Sequence, residues 1–161
     1  MTAADRSRDY VIFVDGSSRG NPGQAGAGVL IQDTDGTVLL EQGYPLGRMT
    51  NNEAEYNALI LGLEEALVLK AERVTLYADS ELMVRQMNGQ YRVKKPHLKA
   101  LNTRANRLAG ALTEFTITHV PREQNQSADR LAQQASSKAP TRDHHGPSSS
   151  GASGSSSGSL F

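Results

Sequence analysis

The 161-residue chain contains no cysteine, and its 17 basic and 17 acidic residues cancel. A disulfide framework and a thiolate zinc site are thereby excluded, and net charge alone points to no polyanionic partner. The N-terminus is polar and no apolar run approaches the roughly twenty residues needed to span a bilayer, so the expectation is a cytoplasmic protein with no membrane association.

In chain order, residues 11–14 (Val-Ile-Phe-Val) are β-branched or aromatic and uncharged, which reads as a central strand buried on both faces and closed by Asp15-Gly16. Residues 25–32 and 37–44 read as two more strands around Asp35-Gly36, a hairpin signal, so the first three strands should be antiparallel. Residues 51–71 form the clearest helix, and residues 73–78 alternate Val74, Leu76 and Ala78 against Thr75 and Tyr77 as a short strand. Helices over 80–88 and 96–112, a strand over 114–120 and a closing helix over 126–137 complete the order βββαβααβα. Strands joined through helices should run parallel, so the expected fold class is α/β, a mixed five-stranded sheet with helices on both faces.

Acidic residues recur at the ends of these elements. From Glu55, steps of three, four, seven, eight and eleven reach Ala58, Leu59, Gly62, Leu63 and Ala66, the apolar stripe of the first helix, so Glu55 points inward. Glu53 lies roughly 200 degrees around the helix and should face solvent, stabilised by the helix dipole. Taken singly, Asp15 also reads as a turn residue, Asp79 as a helix N-cap and Asp129 as a dipole partner in the last helix. Together, four carboxylates at element ends in a thiol-free chain are ligand chemistry for Mg²⁺ or Mn²⁺.

Charge is distributed unevenly. Residues 82–113 carry Arg85, Arg92, Lys94, Lys95, Lys99, Arg104 and Arg107 with no acid, which reads either as a solvated helix face or as the footprint of a phosphate backbone. Residues 1–8 should be a disordered N-terminus, residues 9–138 the folded domain, and residues 139–161 a flexible Ser/Gly-rich tail ending in Leu160-Phe161.

Four segments carry a family resemblance: Asp15-Gly-Ser-Ser-Arg-Gly-Asn-Pro-Gly23, Thr50-Asn-Asn-Glu-Ala-Glu55-Tyr, Ala78-Asp79-Ser80 and Asn125-Gln-Ser-Ala-Asp129-Arg-Leu-Ala. In order and placement they resemble the motifs of ribonuclease HI, over about residues 9–137, with the match nearest the compact archaeal-like branch. The resemblance implies sheet order 3-2-1-4-5 and two-metal hydrolysis of RNA paired to DNA, leaving 5′-phosphate and 3′-hydroxyl ends. It implies that Asp15 bridges two Mg²⁺ ions, with Mn²⁺ as a substitute, that Asp129 completes the ion activating water, and that Glu55 and Asp79 hold the ion at the leaving oxygen.

The resemblance also gives His119 a part in proton transfer or product release. Asn21 and Asn52 become contacts to the hybrid, beside Gly16, Ser17 and Ser80, with Lys94 and Lys95 on the phosphates. Gln126 departs from relatives that carry an acid there, and the short connection over residues 90–97 replaces the extra basic helix of some members, so grip on the substrate should be weaker. The chain is expected to act as a monomer with no obligate protein partner. Two other readings stay open: a non-catalytic hybrid-binding module, which would be expected to lack one of the four acids, and a nuclease of this fold that also cuts double-stranded RNA or RNA–DNA junctions.

Overall fold

The computed structural model describes residues 8–138, and the expectations for residues 1–7 and for the tail from residue 139, including Leu160-Phe161, lie outside them. Arg8, grouped with the N-terminal segment in the sequence reading, pairs with Glu72 at 3.0 Å. The elements are β1 (Asp9–Ser18), β2 (Gly23–Asp33), β3 (Val38–Met49), α1 (Asn51–Val68), β4 (Arg73–Ala78), α2 (Glu81–Met87), α3 (Pro96–Ala109), β5 (Glu114–His119), a 3₁₀ turn (Arg122–Gln124) and α4 (Gln126–Ser136). They form one five-stranded sheet in the order β3-β2-β1-β4-β5. The β1–β2 and β2–β3 pairs are antiparallel, and β4 runs parallel to both β1 and β5.

Alternation of side chains along β1 and β2 gives each sheet face its own helix. Ile12, Val14 and Val29 look toward α1, where Gly62 lies against all three. Asp15 and its partner Gly28 look toward α4. At Gly28 a Cβ would come within 2.2 Å of the Ala128 carbonyl oxygen, so only glycine lets α4 settle this close to the sheet. Because α4 lies over β1, β2 and β3 alone, Val11 and Phe13 stay half-buried, and β1 is not closed on both faces as its apolar run suggests. Phe13 completes its cover by stacking on Tyr77, with ring centroids 5.3 Å apart.

Several boundaries differ from expectation: β1 and β2 are longer than their apolar runs, and α3 ends at Ala109 rather than at residue 112. β3 continues past Tyr44 to Met49, through Pro45 and Gly47. The register slips between Ala25 and Gly26, which pair with Gly47 and Pro45, leaving Leu46 as the extra residue, turned into the core. Proline is tolerated there because β3 is an edge strand. α1 stops at Val68 because Lys70 takes a left-handed φ of 62° and Ala71 N–H donates back to the Ala66 carbonyl at 3.0 Å.

Candidate metal centre and adjoining groove

The centre is assembled by close approach of backbones. At Gly16 a Cβ would meet the carbonyl carbon and oxygen of Ala54 at 2.2 Å, so the end of β1 and the first turn of α1 touch main chain to main chain. Gly16 N–H then donates to Glu55 Oε1 at 3.1 Å, which brings Glu55 beside Asp15. Glu55 is 6% exposed, and Ala58, Leu59, Gly62, Leu63 and Ala66 are all buried, as the helical spacing requires. Glu53 does not reach freely into solvent as its position on the helix suggests. Its carboxylate folds back to accept the Thr50 backbone N–H at 2.8 Å, while Thr50 Oγ1 caps Glu53 N, a reciprocal capping box.

Asp79 ends β4 but leaves capping to the next residue: Ser80 Oγ accepts Met83 N–H at 3.2 Å. Its Oδ2 instead accepts from Asn125 Nδ2 at 2.9 Å, and the same amide donates to the Val14 carbonyl at 2.9 Å. Asn125 thus ties the start of α4 to the ends of β1 and β4, an assignment sequence reasoning missed. Its place before a helix suggests a cap, and nothing local shows that its side chain reaches a strand 111 residues away.

Asp15, Glu55 and Asp79 each offer a carboxylate oxygen within 4.8 Å of the others. Asp129 faces Asp15 from the rim of the same pocket, which has a volume of about 430 Å³ and is also lined by Gly16, Ser17, Ser80 and Arg122. Burial, followed by the Glu55 and Asp79 charges, pushes the Asp15 carboxyl up to about 10. Burial, followed by Asp79, pushes Glu55 up to about 8, against the opposing Gly16 hydrogen bond. For Asp129 burial acts upward but is outweighed by hydrogen bonds from Asp15 and Gln133 and by Arg122, so it lies below the ordinary carboxylate value. Gln133 donates to Asp129 Oδ1 at 3.2 Å from one helical turn on, and Arg122 approaches it at 3.4 Å. Crowded carboxylate oxygens that repel one another, those of Asp15 and Glu55 buried and that of Asp79 partly so, with no thiolate or imidazole in the set, fit a hard divalent cation.

The remaining expected residues scatter around this centre. His119, paired with Ala78 at the end of β5, is exposed and does not line the pocket. Asn21 Oδ1 accepts Asn51 N–H at 3.0 Å and so joins the glycine-rich turn to α1. Gln126 is exposed and borders a different cavity, with Phe13 and Leu30. Leu82 connects the acidic pocket to a groove of about 610 Å³ that Asn52, Tyr91, Arg92, Lys94 and Lys95 also line. The basic block divides there: Arg85 stacks over Tyr91 and pairs with Glu81, and Arg104 is paired with Glu64 away from the groove.

Sheet order and acid cluster together define a ribonuclease H-like domain. A family model described as reverse transcriptase-like matches residues 13–135. The chain is 40% identical to ribonuclease HI of Halobacterium salinarum over 81% of this chain and 66% of that protein. It is 46% identical to a bifunctional protein of Mycobacterium tuberculosis over 78% of this chain, and spans only 35% of that relative's length. Among solved structures, the N-terminal RNase H domain of that mycobacterial protein superposes with a TM-score of 0.79 at 45% identity, covering 81% of this chain and 95% of that one. LC11-RNase H1 in complex with an RNA/DNA hybrid superposes with a TM-score of 0.76 at 40% identity, covering 80% and 96%. The chain belongs to the ribonuclease H family.

Proposed function

We propose that this protein is an endonuclease that hydrolyses the RNA strand of RNA/DNA hybrids, leaving 5′-phosphate and 3′-hydroxyl ends. The observation that carries the reading is the convergence of Asp15, Glu55 and Asp79 within 4.8 Å, with Asp129 facing them across the pocket. Two Mg²⁺ ions, or Mn²⁺ in their place, would neutralise the charge that develops on the phosphate being cut and favour attack by water. Asp15, which faces both Glu55 and Asp129, would hold both ions, Glu55 and Asp79 the one at the leaving oxygen, and Asp129 the one at the water.

His119, exposed at the end of β5 beside the Asp79 strand, would move a proton or assist product departure. Gly16, Ser17 and Ser80, on the pocket wall, Asn21, on the glycine-rich turn, and Asn52, in the first turn of α1, would contact the hybrid, with Lys94 and Lys95 on its phosphates. The hybrid seated on LC11-RNase H1 supports this substrate. The protein would act as a monomer in the cytoplasm; among the described residues no helix is long and apolar enough to cross a membrane.

Labelled RNA/DNA, RNA/RNA and DNA/DNA duplexes incubated with Mg²⁺, Mn²⁺ or EDTA provide the test. Metal-dependent cleavage of RNA in the hybrid is expected. An uncut hybrid in the presence of metal, or equal cleavage in EDTA, overturns the proposal.

A further inference from the structure

Four side chains on α1, α2 and α3 form hydrogen bonds that all run in one direction. Asn106 Nδ2 donates both to the Asn102 backbone carbonyl and to Asn102 Oδ1, each at 3.0 Å. The backbone carbonyl can only accept, so it fixes which end of the Asn106 amide is the nitrogen. Asn102 therefore faces Asn106 with its oxygen, and its Nδ2 donates to the Tyr56 hydroxyl at 3.2 Å. That hydroxyl has one proton, and it donates it to Gln86 Oε1 at 2.7 Å. Gln86 is 8% exposed and borders the groove beside the acidic pocket, and its Nε2 has no acceptor among the described residues.

We propose that Gln86 is a substrate-binding donor whose Nε2 is presented to a phosphate oxygen of the bound duplex, with Tyr56 and Asn102 as positioning residues that hold the amide in that orientation. The proposal rests on the hybrid-cleaving reading for its substrate. A phosphate is the matching acceptor because Lys94 and Lys95 border the same groove and already favour an anion there. A neutral amide adds direction without adding charge, a division of labour with the two lysines. Tyr56 is 1% exposed and lines neither the groove nor the acidic pocket, so its hydroxyl acts only through Gln86.

The test follows anisotropy of a fluorescein-labelled RNA/DNA hybrid and a DNA/DNA duplex of the same sequence over a salt series, for the full chain and for Gln86→Met, Tyr56→Phe and the double variant. Gln86→Met should weaken binding about tenfold for both duplexes, with the slope of log affinity against log salt unchanged. Tyr56→Phe should weaken binding less, and the double variant should be no weaker than Gln86→Met alone, because both changes disable one donor. Under cleavage conditions the same loss should appear in KM rather than kcat. Parent-like binding by Gln86→Met, or effects that multiply in the double variant, overturns the proposal, and a loss confined to the hybrid places the donor on a ribose hydroxyl and overturns the phosphate assignment. Should Tyr56→Phe fail to fold, Gln86→Met alone decides by the same criteria. A parent that binds duplex without cutting RNA refutes the proposed activity and leaves Gln86 to be judged on binding, whereas a parent that binds no duplex overturns both.

Discussion

Removing metal from this protein should make it less stable as the solution becomes more alkaline. Asp15 is 4% exposed and its carboxyl is pushed up to about 10, by burial first and then by Glu55 and Asp79. In the unfolded chain the same group ionises near 3.8. Between those values the native state keeps a proton that the unfolded chain has released, so stability falls as pH rises and is fully present only below the unfolded value. Glu55, pushed up to about 8, acts in the same sense, but the two titrate together, so only one extra proton is counted. One proton corresponds to about 1.4 kcal/mol per pH unit, so the loss between pH 6 and pH 8 is on the order of 3 kcal/mol. For a domain of this size that is on the order of 10 °C in melting temperature. Thermal unfolding followed by circular dichroism in EDTA, at both pH values, measures it. Asp15→Asn, neutral at every pH, should melt above the parent at pH 8, and excess Mg²⁺ should restore the parent alone. A metal-free parent equally stable at both pH values, or an Asp15→Asn variant that melts below it at pH 8, would refute the reasoning.

The other predictions concern activity and the local architecture. Glu55→Gln should abolish most hybrid cleavage in a gel assay, whereas Glu53→Gln should keep the rate and lose about 1 kcal/mol of stability in denaturant titration through its weakened capping box; the reverse pattern sinks the helical-face argument. His119→Ala should lower turnover without eliminating it, as its exposed position outside the pocket suggests, and a loss as complete as that of Asp15→Asn would give it a primary role. Neutralising Lys94 and Lys95 together should raise KM more than it lowers kcat and reduce the salt slope by about two, as measured by initial rates over a salt series. Gly16→Ala should destabilise the fold by several kcal/mol, an order-of-magnitude figure for overpacking against rigid main chain, since its Cβ would fall 2.2 Å from Ala54; near-parental stability would mean that β1 and α1 can part cheaply.

Elements with one clean period were legible in the sequence. The alternation of residues 73–78 matches β4 residue for residue, and the three-four spacing after Glu55 correctly separates the buried acid from Glu53. What escaped depends on other parts of the chain. Nothing local marks Lys70 as the residue that ends α1, and Pro45 and Gly47 hide the far half of β3, which stays paired to β2 by bulging at Leu46. The apolar run of β1 registers hydrophobicity but not how far α4 extends over it. In the centre, carboxylates at element ends could be read from pattern, whereas Asn125 acts through side-chain reach across space.

The reach of Asn125 back to Val14 also orders events during synthesis. A ribosome delivers Asp15, Glu55 and Asp79 before Asn125 and Asp129. A nascent chain halted between residues 79 and 125 carries three of the acids without the amide that braces Asp79 or the fourth carboxylate at the rim. The proposed metal centre is thereby kept incomplete until the start of α4 has been made and has closed back onto β1 and β4.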